Sequence, residues 1–248
     1  MGKRERLDKI LVERRLVDSR EQARGRILAA EVWVNGQPVT KVGTLIDESA
    51  AIRLKPTSPY VSRGGIKLTR ALQEFSVDLN GKTVLDVGAS TGGFTHCVLM
   101  HGAKQVYAVD VGYGQLHWKL RNDPRVLVLE KTNIRALNVS DLPGPADFAT
   151  IDVSFISLRL VLPQVKTLLS THGAIIALIK PQFEVGKGKV GRGGVVRSHE
   201  EHMRVVDEIS DVATKLGYNV CGVIESPLLG PKGNKEFFLH LEARGGFS

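Results

Sequence analysis

Cysteine is scarce in this chain. The 248 residues include only Cys97 and Cys221, too few for the disulfide framework that holds small secreted domains together. The two cysteines also lack the paired spacing of a zinc motif, so the sequence predicts no metal site. Cys97 lies in a predicted helix and Cys221 in a predicted strand, and both are expected to be small core residues.

Long apolar runs are absent as well. The longest unbroken aliphatic stretch, residues 174–179, is far too short to span a bilayer. Residues 1–6 lead directly into an amphipathic pattern and not into the apolar core of a secretion signal. We therefore expect a cytoplasmic protein that does not enter a membrane.

Acidic residues are the minority among the charged ones. The chain has 34 Lys and Arg against 26 Asp and Glu, a formal net charge of +8. Residues 1–60 hold twelve of the basic and eight of the acidic residues, so half of the excess lies in a quarter of the chain. This distribution predicts that the N-terminal region contacts a polyanion such as nucleic acid.

A glycine-rich turn follows the apolar segment 83–87. The segment carries Asp86 near its end and is followed by Gly88, Gly92 and Gly93. This order predicts a buried strand, a tight loop and a helix, which is where α/β folds commonly hold a nucleotide. We expect Gly88 to permit a sharp turn, and Gly92 and Gly93 to let a ligand approach the helix closely.

The ligand predicted for this turn is S-adenosylmethionine (AdoMet). Ser90 stands where a dinucleotide-binding turn has its second glycine, and an acid at the strand end suits a cationic ligand better than a pyrophosphate. Asp110 ends the next predicted strand, where an acid can accept both ribose hydroxyls. Asn133 can bond to an adenine ring. The alternative is that Asp86 and Asp110 merely cap loops. The predicted cofactor-binding residues are Asp86, Gly88, Ser90, Gly92, Gly93, Phe94, Asp110 and Asn133.

The N-terminal region reads as a small α+β module. Two short helices precede a hairpin signal, Asn35-Gly36, and Ser19 with Gln22 forms a capping box for the second helix. The prolines of segment 56–59 indicate a linker. We therefore predict two domains, residues 1–60 and 61–248.

The rest of the chain alternates strands and helices. This alternation predicts a largely parallel sheet covered by helices on both faces, a Rossmann-like α/β fold, with the final strands partly antiparallel. The predicted strands are 83–87, 105–109, 126–129, 148–151, 174–179, 218–225 and 236–242. Segment 184–197 is rich in glycine and basic residues, and it is either a mobile lid or a loose connection.

Two polar residues follow apolar strands at the predicted ligand crevice. Lys180 ends the strand 174–179, and Asp152 ends a neighbouring strand. Lys67 lies on the helix that enters the larger domain, and Glu236 begins the last strand. Taken alone, Lys67 is an ordinary surface lysine, and Glu236 pairs with a nearby lysine.

Several motifs of this chain resemble known families. The N-terminal segments resemble the S-four domain, an RNA-binding module named after a ribosomal protein, and the later motifs are similar to RrmJ/FtsJ-type RNA 2′-O-methyltransferases. Together they resemble the TlyA, or hemolysin A, family over essentially the whole chain. The matching segments are 6–11, 19–23 and 32–36 in the first part, and 62–68, 86–95, 152–155 and 180–184 in the second.

The resemblance implies an AdoMet-dependent methylation of ribosomal RNA, typically at cytidine 2′-hydroxyls. It implies that ribosomal RNA or ribosomal subunits are the partners, and no obligate protein partner is evident. The implied catalytic residues are Lys67, Asp152, Lys180 and Glu236. The implied phosphate contacts are Arg14, Arg15, Arg20, Arg24 and Arg26. The alternative for these arginines is a solvated helix face.

Lys180 is the residue expected to accept or steer the proton of the weakly nucleophilic hydroxyl. Repulsion from Lys67 favours a neutral Lys180, whereas Asp152 and Glu236 oppose that and hold the ammonium groups in place.

Three other functions are alternatives to this interpretation of the sequence. Segment 152–155 faintly resembles sites that methylate base amino groups, although its prolines are missing. A non-catalytic RNA-binding or ribosome-assembly protein is a second alternative. A membrane-active hemolysin is the third, and the sequence has no spanning segment to support it.

Overall fold

The computed structural model describes residues 4–55, 58–186, 188–191 and 193–244. The chain divides into two compact units, residues 1–57 and 58–248. Pro56 and Thr57 of the predicted linker lie outside the described residues, as do Lys187 and Arg192 of the glycine-rich segment.

The first unit packs two helices against short strands. Ser19 caps the second helix, since its hydroxyl accepts a hydrogen bond from Gln22 N at 3.2 Å. Asn35 and Gly36 have positive φ angles, as a tight hairpin turn requires. The elements are β1 (Arg4–Arg6), α1 (Leu7–Glu13), α2 (Arg20–Leu28), β2 (Val32–Val34), β3 (Gln37–Pro38), β4 (Leu45–Asp47) and β5 (Ile52–Leu54).

The strands of this unit form two small sheets. β1 pairs with β4, and β2 lies between β3 and β5. Leu7, Leu11 and Ile27 are fully buried between the helices and the strands. The first unit therefore has a hydrophobic core of its own.

The second unit is built on a seven-stranded sheet. Its strands are β6 (Thr83–Val87), β7 (Gln105–Val109), β8 (Val126–Leu129), β9 (Ala146–Ile151), β10 (Leu169–Ile179), β11 (Tyr218–Glu225) and β12 (Phe237–Ala243). Its helices are α3 (Arg63–Glu74), α4 (Gly93–Met100), α5 (Trp118–Arg121), α6 (Leu158–Leu168), α7 (Pro181–Glu184) and α8 (His199–Lys215).

The strand order in this sheet is β11-β12-β10-β9-β6-β7-β8. Strands β10, β9, β6, β7 and β8 are parallel, and β12 runs antiparallel to both of its neighbours. The chain extends the sheet from β6 through β7 to β8 and then returns to place β9 on the other side of β6. This reversal opens a crevice at the carboxyl ends of β6 and β9, the usual ligand position in such sheets.

Helices cover both faces of the sheet. α3 and α4 pack on one face around Leu68, Val98 and Phe238, whereas α6 and α8 pack on the other. Because both faces are buried, the central strands are continuous apolar runs rather than alternating ones. Among the described residues, no helix is both long enough and apolar enough to cross a membrane.

The predicted α/β fold is confirmed, with corrections to the bounds of three strands and to one cysteine. β9 begins at Ala146, two residues before the predicted start, and β12 spans Phe237–Ala243, one residue later than predicted at each end. β10 begins at Leu169, five residues before the predicted start. Cys97 is buried, but Cys221 is exposed on β11 and does not belong to the core. The prediction for Cys221 was wrong because β11 lies at the edge of the sheet, where no strand among the described residues pairs with its outer flank.

Candidate active site

The four residues predicted as catalytic line one cleft of about 260 Å³ at the carboxyl ends of the parallel strands, together with a fifth charged residue, Arg63. Asp152 follows β9 and Lys180 follows β10. Glu236 precedes β12, and because that strand is antiparallel, its start lies beside the end of β10, where Ile179 pairs with Phe237. Lys67 reaches the same cleft from α3. We call this space the lysine cleft.

The charged groups of the lysine cleft form two ion pairs. Lys67 Nζ donates to Glu236 Oε2 at 2.6 Å, and both side chains are almost fully buried. Lys180 Nζ lies 2.6 Å from Asp152 Oδ1 and donates a hydrogen bond to Ser154 Oγ at 2.9 Å. The four residues therefore form a compact, charge-balanced cluster with two cations and two anions.

One carboxylate oxygen of this cluster has no partner among the described residues. Glu236 Oε1 is buried and accepts no hydrogen bond there, whereas Asp152 Oδ1, also buried, is engaged by the Lys180 ammonium at 2.6 Å. A Cβ atom on Gly230 would lie 1.9 Å from Glu236 Oε1, so a side chain at that glycine would displace the carboxylate. Unpaired acceptors in a buried cleft are suited to bind a hydroxyl or ammonium donor.

A second cleft, of about 410 Å³, adjoins the first and shares Gly88, Ser90 and Asp152 with it. We call it the Asp110 cleft. Asp110 accepts hydrogen bonds from the backbone N–H groups of Ser90, at 2.8 Å, and Gly112, at 2.7 Å. Since a carboxylate can accept about four hydrogen bonds, Asp110 is held in place and still has capacity for a ligand.

Asn133 also lines the Asp110 cleft. Its Oδ1 accepts a hydrogen bond from Arg135 N at 3.1 Å and thereby caps a short 3-10 helix, Ile134–Ala136. Its amide nitrogen donates no hydrogen bond among the described residues. The geometry therefore favours donation over acceptance at this position.

Asp86, which is predicted to bind the cofactor, does not line either of these two clefts. Its side chain is fully buried under α4 and accepts hydrogen bonds from Thr95 Oγ1 at 2.6 Å and Thr150 Oγ1 at 2.9 Å. Gly92, the N-cap of α4, has no side chain that could accept from the first N–H groups of that helix. Asp86 meets part of this need, because it also accepts a hydrogen bond from Thr95 N. Burial raises the pKa of Asp86 to about 6.

The glycines of the turn serve packing more than ligand approach. Gly88 has a φ of 84°, and a Cβ atom there would lie 2.4 Å from the backbone oxygen of Asp152. Gly92 has a φ of 94°, a Cβ atom there would meet Leu116 and Leu120, and it lines neither cleft; its contact with a ligand stays a prediction. Gly93 lines the lysine cleft and permits close contact between α4 and the start of α3. Phe94 also lines the cleft, although it is mostly buried in the core.

A third cleft, of about 360 Å³, opens beside Lys180 and Ser154. We call it the Phe155 cleft. Phe155 is 90% exposed and has a φ of 63°, which is unusual for an aromatic residue. Its ring lies 4.9 Å from that of Phe183. The Asp110 cleft and the Phe155 cleft share Ser154 and Phe155, and both adjoin the lysine cleft.

The described part of segment 184–197 is anchored at both ends. Val196 N donates to Asn234 Oδ1 at 3.1 Å, and His202 Nε2 lies 3.0 Å from the carbonyl oxygen of Val196. Asn234 Nδ2 donates to Gly194 O at 2.9 Å. At the other end, Glu184 is buried and accepts from Ser157 Oγ and Leu158 N. These bonds argue against a loose connection.

The predicted phosphate-binding arginines of the first unit differ in their surroundings. Arg15 and Arg24 are exposed and make no ion pair with the residues that the structure describes. Arg20 is exposed but pairs with the buried Asp8 at 2.8 Å. Hydrogen bonds from Arg6 and Arg20 lower the pKa of Asp8 to about 2. These three arginines remain candidates for contacts with phosphate.

Arg14 and Arg26 have structural partners instead. Arg14 donates to the backbone oxygens of Ala50, at 2.8 Å, and Glu48. Arg26 is largely buried, donates to the backbone oxygen of Lys55 and pairs with Glu31. The phosphate contact of Arg26 stays a prediction, and in the structure its guanidinium ties α2 to Lys55, the residue that follows β5.

Several site residues were missed by the sequence analysis. Ser154 orients Lys180, and Thr95 and Thr150 hold Asp86. Thr150 pairs with Asp86 across parallel strands, a relation that depends on strand register and leaves no local sequence signal. In the sequence, the one signal for a role of Gly230 is that a glycine lies close to Glu236.

Comparisons with known proteins agree with both units. Residues 60–243 match the family model described as FtsJ-like methyltransferase, and residues 5–52 match the S4 domain. The chain is 47% identical over 246 residues to the 16S/23S rRNA (cytidine-2′-O)-methyltransferase TlyA of Mycobacterium tuberculosis, covering 98% of this chain and 92% of that protein. It is 39% identical to Hemolysin A of Brachyspira hyodysenteriae, covering 95% of this chain and 98% of that protein.

A solved structure shares the fold of the whole chain. It is that of a Streptococcus thermophilus protein described provisionally as a hemolysin, with a TM-score of 0.76 and 43% identity. The match covers 98% of this chain and 90% of that one.

Proposed function

The chain belongs to the TlyA (hemolysin A) family of AdoMet-dependent FtsJ-like methyltransferases, and on that premise we propose that it methylates a cytidine 2′-hydroxyl of ribosomal RNA. The main support is the charge-balanced cluster of Lys67, Asp152, Lys180 and Glu236, which lies where two other clefts meet. One of those clefts suits a nucleoside cofactor and the other an aromatic base.

The residues of the Asp110 cleft fit the adenosine part of AdoMet. Asp110 is held by backbone donors and retains free lone pairs for ribose hydroxyls, and the Asn133 amide nitrogen can donate to adenine. Apolar side chains, including Val87, Val109 and Ile134, also line this space and suit a purine ring. When bound, AdoMet supplies an activated methyl group. Asp152 lines both this cleft and the lysine cleft, and its negative charge would favour the positively charged AdoMet.

The Phe155 cleft is suited to hold the target nucleotide. An exposed aromatic ring in a strained backbone conformation is costly unless it serves a ligand, and Phe155 lies beside the Lys180–Ser154 pair. A cytosine stacked on this ring would bring its ribose towards Lys180. Alignment of the hydroxyl oxygen is a large part of catalysis in such a transfer.

The ion pairs indicate how the proton is handled. Lys180 donates to Ser154 and lies against Asp152, so its ammonium can orient a lone pair of the hydroxyl oxygen. The hydroxyl proton can pass to the Lys180–Asp152 pair, in which Asp152 Oδ1 takes a proton from Lys180 while the amine accepts the one from the hydroxyl. The Lys67–Glu236 pair keeps the opposite wall of the cleft rigid and neutral overall.

The N-terminal unit would hold the RNA. Arg15, Arg20 and Arg24 present cations on or beside α2, and exposed guanidinium groups favour phosphate contacts; Arg15 and Arg24 have no ion-pair partner among the described residues, whereas Arg20 also pairs with Asp8. A substrate in the ribosome implies a cytoplasmic location.

Methyl transfer from labelled AdoMet tests the proposal. The substrates are unmodified ribosomes, separate subunits and naked ribosomal RNA. After the reaction, the nucleosides of each substrate are analysed by mass spectrometry. We expect 2′-O-methylcytidine, and a loss of at least about a hundredfold in turnover with Lys180→Ala, while AdoMet still binds. Lys235→Ala is the matched control, because Lys235 is exposed and pairs with Glu225 on the surface.

The outcomes separate the alternatives. Unchanged turnover of Lys180→Ala would refute the proposed mechanism. Label on a base would indicate amino methylation, and AdoMet binding without any transfer would indicate a non-catalytic RNA-binding role.

A further inference from the structure

Strands β11 and β12 bring three potential metal ligands together at the edge of the sheet. The ligand atoms of Cys221, His240 and Glu242 all lie within 4.8 Å of one another. None of these residues lines the lysine, Asp110 or Phe155 clefts. The cluster is therefore separate from the candidate active site.

A β-bulge creates this arrangement. Val220 pairs with Leu241 and Gly222 pairs with His240, so Cys221 is the extra residue, with no partner on β12. A bulge redirects a side chain that regular pairing would place differently. His240 and Glu242 are two residues apart on one strand and share a face, and the bulge brings Cys221 to them.

The distances suit a small tetrahedral ion. Zinc binds nitrogen and oxygen at about 2.0–2.2 Å and sulfur at about 2.3 Å, which separates its ligand atoms by roughly 3.3–3.8 Å. His240 Nε2 lies 3.9 Å from Glu242 Oε1. Small side-chain rotations would therefore close the set around one ion.

The histidine of this cluster is held in place before any ion binds. Its ring stacks on Phe75, the residue that ends α3, at 5.1 Å between centroids. A Cβ atom on Gly222 would lie 2.8 Å from the Phe75 ring, so the glycine makes room for this stack. Cys221 and Glu242 are exposed, and an ion can reach them from solvent.

We propose that Cys221, His240 and Glu242 form a binding site for a thiophilic divalent cation such as zinc. One sulfur, one imidazole and one carboxylate suit zinc and similar ions, whereas magnesium and calcium prefer oxygen ligands alone. A water molecule completes the tetrahedron. On binding, the thiol proton, which now points towards Asn219 O, passes to solvent, and a sulfur electron pair bonds to the metal without any change of oxidation state.

The bound ion would fasten the edge strand to its neighbour. No strand among the described residues pairs with the outer side of β11, so its hydrogen-bonded strand neighbour is β12 on one side alone. A link between Cys221 and His240 also stabilises the strand that begins beside Glu236. We therefore expect the ion to raise thermal stability.

Cobalt titration of the full-length, chelator-treated protein tests this site. We expect one equivalent of Co²⁺ to bind, with a thiolate-to-cobalt charge-transfer band and tetrahedral visible bands that zinc abolishes by displacement. Cys221→Ser should remove the charge-transfer band and weaken binding at least tenfold. Glu225→Gln is the matched control, since it alters an exposed carboxylate on the same strand.

Because Cys221 is exposed, the serine variant should fold normally, and circular dichroism checks this. Zinc should raise the melting temperature of the wild type and not that of Cys221→Ser. The absence of a charge-transfer band in the wild type, or an equal band in Cys221→Ser, would overturn the proposal.

Discussion

At the scale of single residues, the carboxylate of Asp86 combines complete burial with hydrogen bonds from two threonine hydroxyls. Burial disfavours its charged form, and the hydroxyl donors only partly offset that cost. The folded protein therefore holds a proton on Asp86 at a pH where the unfolded chain has released it. This difference makes the stability of the larger unit depend on pH.

The sign of the dependence follows from the two pKa values. The pKa is about 6 in the folded protein and 3.8 in an ordinary aspartate, so stability should fall as the pH rises from about 4 to 6. The loss amounts to about 3 kcal/mol, since one pKa unit corresponds to about 1.4 kcal/mol. We expect Asp86→Asn to remove this loss.

Urea unfolding at several pH values between about 4 and 7, followed by circular dichroism, measures the effect. Asp211→Asn, an exposed change on α8, is the control and should leave the wild-type pH dependence intact. Parallel pH profiles for Asp86→Asn and the wild type would contradict the assignment.

At the scale of elements, the arginines of α2 show that one helix serves two purposes. Arg24 is exposed and unpaired among the described residues, whereas Arg26, two positions later, is turned inwards to Glu31 and the backbone of Lys55. Arg20 supports the buried Asp8, so a charge reversal there would disturb folding as well as binding. Among the five arginines predicted to contact phosphate, Arg15 and Arg24 can be substituted without removing an ion pair to a described residue, so they test RNA contact separately from folding.

We expect Arg24→Ala to weaken binding to ribosomal RNA without changing the melting temperature. Loss of one phosphate contact should also reduce the slope of log affinity against log salt by about 0.7–0.9. Filter binding over a range of salt concentrations measures both. Arg26→Ala should instead lower the melting temperature of the first unit.

Lys215→Ala is the control for a lost surface charge, because Lys215 ends α8 in the other unit. If Arg24→Ala and Lys215→Ala bind RNA equally well at every salt concentration, the exposed arginines of α2 are a solvated surface only.

At the scale of the whole molecule, each of the two units buries a hydrophobic core of its own. The charge is divided as well, because residues 1–60 carry half of the net charge of +8. The clefts that suit the cofactor and the nucleotide are formed entirely by residues after 58. Substrate capture and chemistry can therefore be separated by cutting between the units.

We expect a fragment of residues 58–248 to fold and to bind AdoMet with unchanged affinity. Its methylation of ribosomal RNA should fall strongly through a higher KM, because the fragment lacks the phosphate contacts that we propose for the first unit. Circular dichroism, calorimetry with AdoMet and steady-state kinetics measure the three quantities. Equal KM values for the fragment and the full chain would show that the first unit does not hold the substrate.

Local pattern was sufficient for much of this protein. The apolar runs and glycine turns predicted β6, β7, β8 and β11 with their observed bounds, because a strand buried on both faces must be apolar throughout and must end where the chain turns. Asp152, Lys180 and Asp110 were predicted at the crevice because polar residues that terminate such strands lie at one edge of the sheet, and in the structure all three line clefts there. The resemblance of the motifs added Lys67 and Glu236, whose surroundings alone would not have distinguished them.

Only the tertiary structure decided which way the polar groups face and what they bond. Asp86 turned inwards because register places it beside Thr150 and beneath Thr95, and Arg26 turned inwards because the end of β5 offers it a carbonyl. The cluster of Cys221, His240 and Glu242 depends on a bulge between strands. Such relations join residues far apart in the chain, and hydrogen bonding and packing select among partners that no local pattern specifies.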